Sequence, residues 1–155
     1  MKKFIKSLLV SAALIASSTA VAANFDPSKP VMTKITDGVY QYHQYFYTSL
    51  VVVTDEGVLV TDPSKAHRAA DMRKAIRKLT DKPVVKVIYS HDHFDHTRGG
   101  QIFKDEGAEF IAQENCTELL SRDLEKKVVL PDETYRERLF KVLALHLRWL
   151  VQWHG

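Results

Sequence analysis

Residues 84–96 read VVKVIYSHDHFDH, an apolar run that ends directly in three histidines and two aspartates. The apolar part, Val84 to Tyr89, has the length and the β-branched composition of a buried strand. Alternate side chains of an extended segment point to the same side, so we expect His91 and His93 to face one ion together. Asp95 and His96 follow closely and would serve a second, neighbouring ion. The stretch therefore predicts a metal site at the end of a buried strand.

The sequence before this strand predicts how it is embedded. Apolar residues recur at three- and four-residue spacing through residues 65–80, which indicates an amphipathic helix. Residues 57–61 form a β-branched run immediately before it. A helix between two strands of one sheet is a crossover connection, and it makes the two strands parallel. Further strands are predicted at residues 31–35, 39–45, 49–54 and 109–112, and further helices at 99–106 and 116–126. The fold class is therefore α/β.

Asp62 ends the strand that precedes the predicted helix. Because parallel strands end at the same edge of a sheet, we expect Asp62 to lie near His91. Two roles are open at this point. Asp62 could support the site by holding a histidine or the metal-binding loop, or it could cap the N-terminus of the helix.

The donor set indicates which metals the site would take. Imidazole and carboxylate ligands suit zinc, which has no geometric preference of its own from d-electrons. Iron and manganese are possible alternatives, because sites made of nitrogen and oxygen ligands discriminate weakly between such ions. The other interpretation is a surface loop that happens to be rich in histidine.

The segment from Ser90 to His96, followed by Gly99 and Gly100, resembles the signature of the metallo-β-lactamase-fold hydrolases. Residues 58–62 (VLVTD) resemble that family's strand ending in an aspartate, and the resemblance covers roughly residues 35–138. It implies an αββα sandwich, of which this chain would carry the N-terminal half. It also implies a zinc-dependent hydrolase, in which a metal-activated water attacks an ester- or amide-type substrate such as a β-lactam.

The same resemblance implies roles for the residues of the motif. One or two zinc ions would be bound, with His91 and His93 on the first and Asp95 and His96 on the second. Asp95 would also act in catalysis, by orienting the water or accepting its proton. Asp62 would support these ligands from behind.

The N-terminal residues predict export. Lys2, Lys3 and Lys6 precede a short apolar stretch and then small residues, which is the pattern of a signal peptide over residues 1–23. The mature chain would be periplasmic or secreted, with no stable membrane anchor after cleavage. Without those three lysines, 19 basic residues remain against 19 acidic ones. This neutral balance argues against nucleic acid as a partner and favours a small-molecule substrate.

The C-terminal residues do not fit the expected family pattern. Residues 24–138 correspond to an incomplete metallo-β-lactamase-like domain, whereas residues 139–155 form an atypical tail rich in leucine and tryptophan. His146 and His154 lack the sequence context of the family's later ligands, so we expect a chain truncated or frame-shifted after about residue 138. Two alternatives to an active hydrolase stay open: an inactive metal-binding fragment, and a structural metal or interaction domain.

Two other sequence features allow more than one interpretation. The aromatic residues between positions 40 and 47 could line the mouth of a substrate site or pack within strands. A basic run on the predicted helix would form a solvated face; its members are Arg73, Lys74, Arg77 and Lys78.

Overall fold

The computed structural model describes residues 26–136. Within them the chain forms seven strands and four helices. The strands are β1 (Val31–Thr36), β2 (Val39–Gln44), β3 (Tyr47–Val53), β4 (Val58–Thr61), β5 (Val84–Ile88), β6 (Glu109–Gln113) and β7 (Glu133–Tyr135). The helices are α1 (Ala66–Arg77), α2 (Phe94–Thr97), α3 (Gln101–Asp105) and α4 (Glu114–Leu120). The predicted signal peptide and the tail from residue 139 onward lie outside the described residues.

All seven strands belong to one mixed sheet whose spatial order follows the chain from β1 to β7. The first four strands are connected by hairpins and pair antiparallel. From β4 onward the pairing is parallel, because α1 carries the chain back between β4 and β5. This confirms the predicted α/β class and the parallel pairing of the two strands that end beside the histidines.

The helices pack on one face of the sheet. Buried residues of α1, α3 and α4 belong to the same apolar cluster as the sheet residues Val60 and Val87; those helix residues are Ala69, Met72, Ile76, Phe103 and Leu120. A second, smaller cluster occupies the other face, around Leu59 and Ile111. One sheet with helices on one side corresponds to half of the expected αββα sandwich. Within residues 26–136, none of the helices has the length and apolar character needed to span a membrane.

The largest differences from the sequence predictions follow the histidine motif. The extended backbone was predicted only as far as His93, and a helical turn follows it at Phe94–Thr97. The helix predicted to run to residue 126 ends at Leu120. Beyond it, the carboxylate of Asp123 accepts hydrogen bonds from the backbone amides of Lys127 and Val128, and this bonding stabilises a loop instead of a further helical turn.

Candidate metal centre

The site lies at the edge of the sheet where β4 and β5 end. The backbone amide of Asp62 donates to the carbonyl oxygen of Ile88 over 3.1 Å, which continues the pairing of the two strands to their ends. The Asp62 side chain then accepts two hydrogen bonds from Ser90, at 2.9 Å from the backbone amide and 2.6 Å from the hydroxyl. Because the residue is only 7% exposed, these contacts lie in a largely dry environment.

The Asp62 carboxylate accepts hydrogen bonds from the start of the histidine loop and does not cap the helix. The N-cap position of α1 is Lys65, and no side chain caps it. On the other side of Ser90, its hydroxyl oxygen lies 2.8 Å from Nδ1 of His91. A chain of contacts therefore leads from Asp62 through Ser90 to His91.

Three side chains come together closely enough to share an ion. Asp62, His91 and His96 each offer one ligand atom, and these atoms lie within 4.8 Å of one another. The rings of His91 and His96 are 4.2 Å apart between centroids. Nδ1 of His96 is buried and has no hydrogen-bond partner among residues 26–136. Since a buried polar atom normally has a partner, this nitrogen is suited to a ligand.

Burial and the neighbouring His91 ring favour the neutral form of His96, which is the form that binds metals. Burial lowers the pKa of His96 below its usual value, and the adjacent His91 ring lowers it further. The carboxylates of Asp62 and Asp95 oppose this shift without cancelling it. Neutral imidazole has a free lone pair, so this environment favours metal binding.

The other two residues of the predicted ligand set lie beside this group. The His93 ring packs at 4.7 Å from that of His91, but His93 is not among the three side chains whose ligand atoms lie within 4.8 Å of one another. Asp95 belongs to α2 like His96, but it is not among the three side chains of this group. Its Oδ2 accepts a hydrogen bond of 3.1 Å from the Tyr47 hydroxyl and lies 3.8 Å from Nε2 of His96. Their assignment as ligands stays a prediction.

The ionisation of Asp95 also suits a role at a metal. Burial raises the pKa of Asp95, but the hydrogen bond from Tyr47 and the nearby histidines outweigh this effect and hold it below its usual value. The carboxylate is therefore charged at neutral pH. A charged carboxylate can bind a cation or accept a proton from water.

A strained turn after β4 holds the histidine loop through hydrogen bonds to its backbone. Asp62 and Ser64 both have positive φ angles, 43° and 65°, which residues other than glycine seldom adopt. The backbone amide of Ser64 donates to the carbonyl of His96, and its hydroxyl donates to the carbonyl of Asp95, both at 2.7 Å. Gly99 packs against this turn, and a Cβ atom there would come within 2.6 Å of the Ser64 carbonyl oxygen.

Several residues of the site are not evident from sequence motifs. Tyr47, Ser64 and Arg68 act through contacts with residues distant in the chain. For Arg68 a signal exists, since it stands four residues before Met72 and eight before Ile76, on the apolar stripe of α1.

The prediction that Arg73 lies on a solvated face is wrong. It is buried at 7% exposure, and its guanidinium pairs with Glu106 at 2.7 Å, so it does not belong to the solvated face.

The aromatic stretch divides between the two interpretations. Tyr42 is fully buried and packs in the core, whereas Phe46 is 91% exposed at the turn between β2 and β3. Tyr47 lies between these extremes and contacts Asp95. Only the end of the stretch nearest the histidines therefore faces the site.

A cavity of about 810 Å³ opens beside Asp95. Phe94 and Asp95 contribute to its wall together with four basic side chains: Lys65, Arg98, Lys126 and Lys127. Arg98 is paired with Asp123, and Lys127 with Glu125. Within the described residues, Lys65 and Lys126 have no ion-pair partner, so the cavity carries an excess of positive charge.

The side chains at this edge are of the kinds that bind a metal such as zinc. Two imidazoles and one carboxylate converge at one edge, and one imidazole nitrogen is buried without a partner among the described residues. A carboxylate orients the first histidine through a hydroxyl, as in many metal sites. The same groups would hold zinc, iron or manganese.

Comparison with known proteins relates this chain to the metallo-beta-lactamases. The sequence profile of the Metallo-beta-lactamase superfamily matches residues 44–109. Metallo-beta-lactamase IND-1 of Chryseobacterium indologenes is 28% identical over 128 residues, covering 79% of this chain and 54% of that protein. The alpha subunit of 2,4-dinitroanisole O-demethylase from Nocardioides sp. (strain JS1661) is 31% identical over 99 residues, covering 63% of this chain and 28% of that protein. The chain thus spans about half, or less, of the length of these relatives.

A solved structure supports the fold. The mono-zinc form of metallo-beta-lactamase FIM-1 from Pseudomonas aeruginosa superposes with a TM-score of 0.57 at 14% identity. The superposition covers 71% of this chain and 52% of that one. At this identity the likeness concerns the fold alone.

Proposed function

We propose that this chain, which matches the Metallo-beta-lactamase superfamily over residues 44–109, is a zinc-dependent hydrolase of small molecules with ester- or amide-type bonds. The observation that carries the proposal is the convergence of His91 and His96 with Asp62 at the ends of two parallel strands. His93 and Asp95 complete the donor set from the same loop. When bound, zinc acts as a Lewis acid and makes water nucleophilic near neutral pH.

The protein groups would contribute orientation and proton transfer. The Asp62–Ser90 pair holds the His91 ring in place. Asp95, kept charged by its surroundings, would orient the attacking water and accept its proton. Tyr47 fixes the position of that carboxylate through its hydroxyl.

The charge of the cavity favours a substrate that carries a negative group. Lys65 and Lys126 have no ion-pair partner among residues 26–136 and stand opposite a single lining carboxylate, Asp95. An anionic group beside the scissile bond would be attracted into this cavity.

Export is a further part of the proposal. The basic, apolar and small-residue segments of residues 1–23 support cleavage and release into a periplasm or beyond. The neutral charge balance of the remaining chain supports a small-molecule substrate and not nucleic acid. N-terminal sequencing of the mature chain tests the cleavage directly.

Metal binding without turnover is a second candidate. Both oxygens of Asp62 already accept hydrogen bonds from Ser90, which leaves His91 and His96 as the free donors of the group. Catalytic zinc sites commonly have three protein ligands. A structural metal or interaction domain is an alternative of another class, and there loss of His91 would abolish folding and not only metal binding.

One experiment separates these functions. The full chain is titrated with zinc and assayed against a chromogenic cephalosporin and simple aryl esters, alongside His91→Ala and the control His67→Ala, an exposed histidine on α1. A hydrolase binds zinc and turns over substrate, and both properties are lost in His91→Ala but kept in His67→Ala. Zinc binding without hydrolysis supports the second candidate, and no zinc binding by the wild-type chain refutes both.

A further inference from the structure

Arg68 is a fully buried cation with no carboxylate partner. It is 0% exposed, and within residues 26–136 it forms no ion pair. Burial lowers the pKa of Arg68, which reflects the cost of placing charge in a dry environment, while Tyr42 and Asp62 offset part of the effect. The Tyr42 ring lies 4.9 Å from the guanidinium carbon and provides cation–π stabilisation. Such an arrangement is costly for a residue that only fills space.

Its hydrogen bonds go to two segments that lead to the metal centre. One guanidinium nitrogen donates to the Tyr47 carbonyl over 3.1 Å. The other donates to the Ser49 hydroxyl over 3.0 Å and to the Asp62 carbonyl over 3.3 Å. The Ser49 hydroxyl itself donates to the Asp62 carbonyl at 2.9 Å. Arg68 therefore ties the start of β3 to the turn after β4.

Each of the two tied residues holds a predicted ligand with its side chain. Tyr47 donates to the Asp95 carboxylate, and Asp62 orients His91 through Ser90. Asp62 also has a positive φ of 43°, a conformation that persists only where its surroundings hold it. The hydrogen bonds of Arg68 and Ser49 to its carbonyl provide that constraint.

We propose that Arg68 is a positioning residue of the metal centre, acting through Asp62 on His91 and through Tyr47 on Asp95. This inference rests on the proposed metal binding. It goes beyond it by assigning the geometry of both halves of the ligand set to one buried side chain on α1. Loss of Arg68 should weaken and distort metal binding in a chain that is still folded.

The same helix supplies a matched control. Arg73 is also a buried arginine of α1, but its guanidinium pairs with Glu106 next to α3 and makes no contact with Tyr47, Asp62 or Ser49. Arg68→Met and Arg73→Met remove the same charge from the same helix. A purely structural role predicts similar consequences for both.

The test measures metal binding and metal geometry separately from stability. Zinc affinity is determined by competition with a chromophoric chelator, and cobalt(II) replaces zinc so that its visible absorption bands report ligand geometry. We expect Arg68→Met to raise the Kd for zinc by about tenfold and to shift the cobalt bands. Arg73→Met should lower the melting temperature and leave Kd and spectrum as in the wild type. Arg68→Lys should recover part of the affinity, because a lysine can still donate to some of the three acceptors.

Each outcome bears on the inference. An Arg68→Met variant that is folded by circular dichroism and keeps the wild-type Kd and cobalt spectrum overturns it. If that variant does not fold, Arg68→Lys and Ser49→Ala decide, since both weaken the tie to Asp62; unchanged Kd and spectrum in both also overturn it. A wild-type chain that binds neither zinc nor cobalt refutes the proposed function itself, which is a different result from a variant that binds as the wild type does.

Discussion

The hydroxyl of Ser90 donates a hydrogen bond of 2.6 Å to the carboxylate of Asp62. A serine hydroxyl has one proton, and a carboxylate can only accept. The 2.8 Å contact between the Ser90 oxygen and Nδ1 of His91 must therefore be donated by the imidazole. This places the ring proton on Nδ1 and leaves the lone pair of Nε2 free for a metal ion. Asp62 thus sets the tautomer of His91 without touching it, because Ser90 lies between the two side chains.

Replacing Asp62 with asparagine should reverse the direction of the two hydrogen bonds that the Ser90 hydroxyl makes. With its oxygen still accepting from the Ser90 amide, the introduced amide nitrogen faces the Ser90 hydroxyl and donates to it. The hydroxyl would then donate to Nδ1 of His91, and the ring proton would move to Nε2. We expect Asp62→Asn to weaken zinc binding by about 10- to 100-fold. Nitrogen NMR shifts of the His91 ring in the metal-free protein report the tautomer.

Asp71→Asn is the control for that experiment. The Asp71 carboxylate accepts from Gln44 and Lys74 and is not part of the histidine contacts. It should leave the His91 tautomer and the zinc affinity unchanged. Wild-type affinity in Asp62→Asn would mean that Asp62 does not control the ring.

Two adjacent glycines should differ in their effect on the site. A Cβ at Gly99 would meet the Ser64 carbonyl oxygen at 2.6 Å, and one at Gly100 would meet the Phe110 ring at the same distance. We expect either alanine substitution to reduce the free energy of unfolding by about 1–3 kcal/mol, as overpacking does. Only Gly99→Ala should also weaken zinc binding, because Ser64 holds the backbone of Asp95 and His96.

Chemical denaturation and zinc titration of the two variants provide the comparison. Equal loss of zinc affinity in both would show that the turn carrying Ser64 has no particular influence on the histidine loop. Loss of stability without any change in affinity would lead to the same conclusion.

The parallel arrangement that builds the site could be predicted from the sequence. The helical spacing between two β-branched runs requires a crossover, and a crossover places Asp62 at the same sheet edge as His91. The alternation of an extended chain predicted that His91 and His93 would face one ion together; their rings are neighbours, but the shared ion stays a prediction. Both inferences depend on local pattern and on general rules of chain connection.

The contacts that orient the ligands could not be predicted in this way. Asp95 turns toward Tyr47 because residues Phe94–Thr97 form a helical turn, and that partner is 48 residues away in the chain. Arg73 looks like a solvated position by composition, yet it is buried and paired with Glu106 from beyond α3. Long-range hydrogen bonds decide these cases, and a single sequence contains no direct record of them.

The thermal stability of the protein should depend on pH through Asp123, which lies in the loop after α4. Burial raises the pKa of the Asp123 carboxyl, but the hydrogen bond from Arg98 and those from the Lys127 and Val128 amides outweigh it, so the pKa is lowered. A carboxyl whose pKa is lower in the folded chain stabilises the fold above its unfolded pKa, about 3.9 for aspartate, and loses this effect as the pH falls through the folded value. We therefore expect Asp123→Asn to melt at a lower temperature than the wild type at pH 7, with the difference shrinking below about pH 4.

Thermal unfolding of both proteins between pH 7 and pH 3 tests this dependence. Asp55→Asn is the matched control, since the Asp55 side chain is fully exposed and lies 3.8 Å from Lys82. A melting-temperature difference for Asp123→Asn that stays constant across the pH range would contradict the assignment of the stabilisation to the charged carboxylate.

The positive cavity beside Asp95 leads to a prediction about substrate charge. Lys65 and Lys126 line it without an ion-pair partner among the described residues, so reversing either charge should repel an anionic substrate. For two esters that share a leaving group and differ only in a carboxylate, we expect Lys65→Glu or Lys126→Glu to raise KM for the anionic ester by about tenfold, comparable to losing one charged contact. KM for the neutral ester should hardly change, and Lys78→Glu, the same charge change at the far end of α1, should affect neither. Raising the salt concentration should reduce the effect, because salt screens exposed charges. Equal changes in KM for both esters would show that the cavity does not select for negative charge.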